Sequence, residues 1–129
     1  MSEITCRIMR GDEEIFQSDG RGIAPLIALI ESGMDIKDCV AYDKIVGRAA
    51  ALLYVLTEVK CVHAEVMSAG AAEVLRSHAI AFDFETLTDK IVNRRGDGIC
   101  PMEQTVEDIF DAKTAFVALK SKLEALRSA

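Results

Sequence analysis

One stretch of this chain has residue types that could do chemistry: Asn93-Arg94-Arg95-Gly96-Asp97-Gly98-Ile99-Cys100-Pro101-Met102-Glu103. A basic, glycine-rich loop runs into a helix start. Cys100 takes the N-cap position, Pro101 the first helical position and Glu103 the third, where a carboxylate can reach free backbone N–H groups. A thiol at a helix N-terminus beside two arginines sits in a positive field that favours thiolate. On this reading Cys100 is a nucleophile, and Asn93 and Arg94 hold an anionic group against the N–H groups that Gly96 and Gly98 leave open. The plainer reading is that Cys-Pro is a helix entry and the arginines are solvated.

Asp43-Lys44-Ile45-Val46-Gly47-Arg48-Ala49-Ala50 is the second candidate. The pattern predicts a helix over 44–58 capped by Asp43, with Lys44 in its first turn and Gly47 allowing close approach. That would place a charge pair and free N–H groups at the carboxyl edge of a sheet, where open α/β folds bind ligands. Asp43 and Lys44 are then the acid/base candidates and Gly47 part of the binding surface. Ser68, capping the next helix, is a weaker candidate of the same kind. His63-Ala64-Glu65 resembles the H-x-E of zinc deaminases, whose second half is P-C-x-x-C. Here it lies in an extended apolar run, no cysteine starts the following helix, and Cys100-Pro101 inverts the required order. No metal site and no cofactor are predicted.

The elements that must position these residues follow from hydrophobic period. Ile4, Cys6 and Ile8 alternate with polar partners, Arg10-Gly11-Asp12-Glu13 turns, and 14–18 returns as a second strand. A helix opens at Ala24-Pro25 and stops at Gly33. Strands are predicted over 39–42, 61–67 and 80–85, separated by the helix of 44–58, apolar nearly all round, and a helix after Ser68. Residues 86–92 read as irregular with a short strand near Ile91. Helices over 101–110 and from Asp111 close the chain, the last with a stripe of Phe116, Leu119, Leu123 and Leu126. The order β-β-α-β-α-β-α-β followed by helices implies one α/β domain over 1–129, a central sheet with helices on both faces.

Bulk properties exclude several classes. The 129 residues are half hydrophobic, with mean hydropathy +0.20 and net charge −6. That charge disfavours nucleic acid, whose phosphates need a basic surface. No apolar run approaches the ~20 residues of a membrane span, and the N-terminus has no export signal. Cys6, Cys39, Cys61 and Cys100 are widely spaced, as free thiols in a cytoplasmic protein would be. A homodimer is the default assembly.

Gly22-Ile23-Ala24-Pro25-Leu26, the stretch 43–50, Val66-Met67-Ser68 and the run from Asn93-Arg94 to Cys100-Pro101-Met102-Glu103 resemble a prokaryotic family, domain-of-unknown-function family 1893, whose structure is cytidine-deaminase-like. The resemblance implies a three-layer α/β/α sandwich on a mixed sheet of about five strands. It also implies a pocket without zinc ligands where Asp43, Lys44, Ser68, Asn93, Arg94 and Cys100 converge. Two functions fit. One is an enzyme using Cys100 as nucleophile on a small polar or anionic, nucleotide-like ligand; the other is a non-catalytic ligand-binding or redox-sensing domain.

Overall fold

Side-chain alternation sets the first two strands. Cys6 and Ile8 are buried while Arg7 and Arg10 reach solvent, and Cys6–Arg10 (β1) pairs antiparallel with Glu13–Ser18 (β2) across a turn at Gly11. The structure, a computed structural model, describes residues 4–20, 22–92, 96 and 98–128. Ala24–Glu31 (α1) follows, with Pro25 in its first turn and Gly33 beyond its end in the left-handed region at φ +75°, a conformation only glycine adopts without strain. Then come Val40–Val46 (β3), Arg48–Thr57 (α2), Cys61–Ser68 (β4), Ala69–Ser77 (α3), Ala81–Thr88 (β5), Pro101–Thr105 (α4) and Ala112–Ser128 (α5).

The sheet order is β2-β1-β3-β4-β5. The β1 strand is antiparallel to β2 and β3, while β3, β4 and β5 run parallel. This is the predicted class: a mixed α/β fold with a five-stranded sheet flanked by helices. Parallel neighbours need a crossover, and the right-handed rule places α2 and α3 on the same face. Their mutual packing agrees, and α5 also packs against α2. Between them α2 has no solvent face: Ala49 through Tyr54 are all at most 5% exposed. The other sheet face is polar, with Arg7, Tyr42 and Glu65 reaching solvent within the single chain.

Three predicted boundaries shift, one of them at β5, which runs on to Thr88 through residues read from the sequence as irregular. The helix expected from Lys44 starts at Arg48 instead, and Asp43 is not its cap: Asp43-Lys44-Ile45-Val46 continue β3. Hydrogen bonding to β1 on one side and β4 on the other keeps this segment extended, and tertiary pairing overrides a good local cap signal. The helix from Pro101 covers only five residues rather than ten. No described helix is long and apolar enough to cross a membrane.

Leu52 is fully buried at the centre of α2. Leu52→Ala should lower the unfolding free energy by about 2–5 kcal/mol, the usual range for a leucine cavity in a core, read as a fall in the urea midpoint. An unchanged midpoint would remove α2 from the centre of the core.

Candidate functional site

Strand register lines up one row of side chains across the polar face. Arg7 pairs with Tyr42, Tyr42 with His63, and His63 with Asp83. Arg7 Nε donates to Glu14 Oε1 at 2.6 Å. The Tyr42 and His63 rings stack at 4.8 Å, and His63 Nδ1 lies 2.6 Å from Asp83 Oδ1. A carboxylate can only accept, so Nδ1 carries the proton, and in the neutral ring Nε2 is the acceptor. That nitrogen faces Cys61 Sγ at 3.5 Å. A hollow of about 620 Å³ opens over this row and takes in Lys44, Glu65 and Glu85.

The row behind it faces the helices: Cys6 pairs with Asp43, Asp43 with Ala64, and Ala64 with Phe84. Tyr54, wholly buried in α2, donates its hydroxyl to Asp43 Oδ2 at 2.6 Å and lies 3.5 Å from Cys6 Sγ. Burial lifts the Asp43 carboxyl from its ordinary 3.8 to about 6, against the lowering effect of the Tyr54 hydrogen bond. Burial also pushes the Cys6 thiol up to about 12, with the Asp43 charge adding to it. Tyr54 is raised well above the usual phenol range, by burial first and then by Asp43 and Cys6. Low dielectric penalises each charged form, so the trio favours few charges.

At the start of α2 the site differs from expectation. Glu103, from α4, accepts from Arg48 N–H and Ala49 N–H, both at 2.8 Å. Its carboxylate does not turn back on its own helix; it fills the anion position of another. Burial raises its pKa, while these backbone hydrogen bonds and Arg48 oppose the rise. Gly47 makes room: a Cβ there would lie 2.5 Å from Glu103 Oε1. Arg48 grips the same segment, donating from Nε to the Val106 carbonyl at 3.1 Å and from its guanidinium to the Ile109 carbonyl, with the Phe110 ring 4.9 Å away.

The predicted residues therefore separate. Asp43 and Lys44 meet at the hollow, as strand residues. Gly47 and Ser68 stand at the starts of α2 and α3, where Gly47 faces Glu103 and the buried Ser68 Oγ accepts from Ala71 N–H at 3.0 Å. Cys100 is the N-cap of α4, half-buried against the core, and its side chain makes no capping hydrogen bond. Asn93 and Arg94 lie outside the described residues. The described lining of the hollow does not include Gly47, Ser68 or Cys100. Sequence reasoning missed Arg7, Tyr42, Asp83 and the reach of Glu103; the polar members of the strand alternation were the available signal for the first three. His63 and Glu65 do sit on a strand, as expected, and His63 pairs with a neighbouring carboxylate.

A family model described as a domain of unknown function (DUF1893) matches residues 1–123. The chain belongs to the DUF1893 family. A crystal structure of a DUF1893 family protein (TM1506) from Thermotoga maritima is similar to this one at TM-score 0.86 and 23% identity, over 92% of this chain and 80% of that one. At that identity the likeness carries the fold. No curated protein matches the sequence. Among the described residues no cluster of histidine, cysteine and carboxylate side chains has the geometry to hold a metal ion.

Two measurements check the site in this DUF1893 chain. Glu103→Ala should cost about 1–3 kcal/mol, since it strips the partners from two helix N–H groups. Gly47→Ala should also destabilise, but the double variant should cost no more than Glu103→Ala alone, because the clash disappears with the carboxylate. Additive losses in urea melts would show that the two residues do not touch. The second concerns pH. Asp43 holds its proton more tightly folded than unfolded, so stability falls as pH rises between about 4 and 6 and then levels off. The loss is at most about 3 kcal/mol, and Asp43→Asn, which still accepts from Tyr54, should flatten that slope.

Proposed function

We propose that this DUF1893 chain is a binding domain for a small polar molecule held in the hollow on the polar sheet face. One observation carries the reading: a space of about 620 Å³ with the Tyr42 ring and hydrogen-bonding side chains from successive strands around it, a size that ligand sites commonly have. Charge narrows the ligand class. Asp43, Glu65, Asp83 and Glu85 line the hollow against Arg7 and Lys44, and Arg7 is already paired with Glu14. Carboxylates outnumber bases, so a neutral or cationic molecule rich in hydrogen-bond donors is favoured over a phosphate. This departs from the anionic ligand that the Arg94 loop suggests in the sequence.

The strand order, and the two β-α-β units built on β3, β4 and β5, support a cytidine-deaminase-like reading of the fold. Within that reading, the start of α2 would border the place where a deaminase holds its base. Here Glu103 occupies the helix terminus, and ligand binding moves to the open face. The enzyme reading built on Cys100 gains no support from the described residues, because its helix is a single short turn and its sulfur packs against the core.

The test is a thermal-shift series of nucleosides and amines against nucleotides and sugar phosphates. The first group should raise Tm, by an amount corresponding to about 2.7 kcal/mol at a hundred times Kd. Tyr42→Ala should abolish the rise and Glu103→Ala should leave it. A rise confined to phosphorylated compounds, or one that survives Tyr42→Ala, would overturn the assignment.

A further inference from the structure

Cys61, His63 and Asp83 lie on the polar face in an arrangement that ligand binding alone does not require. Cys61 and His63 are two residues apart on β4 and so share a face, and β5 brings Asp83 level with His63. The imidazole is held from three directions: Asp83 at Nδ1 (2.6 Å), Cys61 at Nε2 (3.5 Å) and the Tyr42 ring against its plane (4.8 Å). A nucleophile within reach of a base, with the base oriented by a third group, is the general signature of an activated nucleophile. The three groups form a line with the imidazole in the middle, both ring nitrogens engaged, and this suits proton transfer better than chelation.

We propose that Cys61, His63 and Asp83 form a proton relay that makes Cys61 a nucleophilic thiol, able to accept an acyl group from an activated ester or thioester. The Cys61 S–H proton passes to His63 Nε2, and Asp83 stabilises the imidazolium. The thiolate sulfur then forms a bond to the acyl carbon, the bond from that carbon to the leaving oxygen or sulfur breaks, and the leaving group departs with the electron pair and takes the proton from Nε2. No electrons are gained or lost overall. Asp83 is a positioning residue, since it acts only through His63.

The surroundings make the base necessary. Burial first, and then the Asp83 charge, push the Cys61 thiol up, with Lys60 and a backbone hydrogen bond opposing. Without an acceptor the sulfur would stay protonated at neutral pH, and Nε2 is the acceptor within reach. The other groups on this face are Glu65 further along β4, Glu85 on β5, Lys44 and Tyr42 on β3, and Arg7 on β1, which is paired with Glu14. His63 and Asp83 remain 34% and 67% exposed at their side chains, so a small ester can approach them. Cys6 and Cys39 are buried and supply an internal comparison.

The reactivity of Cys61 does not depend on what the hollow binds, and p-nitrophenyl acetate tests it on the full chain. Peptide mass spectrometry should find one acetyl group, on Cys61. An ordinary thiol with pKa near 8.5 is only ~3% thiolate at pH 7, so release of p-nitrophenolate should be about tenfold faster than with glutathione. His63→Asn should remove that advantage and leave the alkaline rise of an isolated thiol. Asp83→Asn should slow the reaction less and displace its pH profile, and both variants should melt within a few degrees of the parent chain. Acetylation of Cys100 ahead of Cys61, a rate no greater than glutathione's, or a rate and pH profile unchanged by His63→Asn would each overturn the relay. A chain that binds nothing in the thermal-shift series yet acetylates Cys61 in this way retains it.

Discussion

A helix with no solvent face cannot turn to water for the free N–H groups of its first turn, and α2 is such a helix. Its side chains from Ala49 to Tyr54 are all buried between the sheet and other helices. The intrahelical ladder leaves the first N–H groups without partners, and Glu103 supplies two acceptors from a segment more than fifty residues away. Arg48 returns the contact by donating to carbonyls just beyond α4. The clamp is reciprocal, because each segment supplies what the other's backbone lacks. Without it the first N–H groups of α2 would lack these acceptors and the chain after β5 would lose four hydrogen bonds to α2.

The side of α2 towards the sheet has its own polar requirement. Tyr54 brings a hydroxyl into the core, and a buried hydroxyl without a partner is costly. Asp43 on β3 accepts its hydrogen bond, and Cys6 Sγ, level with Asp43 on β1, lies 3.5 Å from the same hydroxyl oxygen. Asp43 therefore tethers the central helix to the sheet and also lines the hollow. Its raised pKa comes from the packing of α2 and needs no bound ligand to explain it.

The helices leave one face of the sheet open. Strand pairing makes neighbours of Arg7, Tyr42, His63 and Asp83, which are distant in sequence, and the pleat turns all four to one side. The ion pairs and the ring stack follow from that register, the sulfur contact follows from the two-residue repeat within β4, and a one-residue slip of β4 would turn His63 towards the helices. A DUF1893 protein of known structure has the same fold at 23% identity, so the fold tolerates wide sequence change.

Periodicity alone was enough for the element order, because burial imposes a period of two on strands and near 3.6 on helices. The hairpin of Cys6 and Ile8, the Ser68 cap, the Pro25 helix entry and the all-round apolar α2 were all legible in local patterns. Asp43 was misread for a physical reason: aspartate before Lys44 is a good local cap, and only the β1 and β4 partners on either side reveal that this segment stays extended. Glu103 was placed correctly at the third position of its helix, yet its acceptor role is long-range. The joining of Cys61 and His63 to Asp83, and of Asp43 to Tyr54, depends on strand order and register, which one-dimensional hydrophobic spacing does not contain. The sequence by itself determined which residues would be inside; only tertiary packing decided which polar residues would meet.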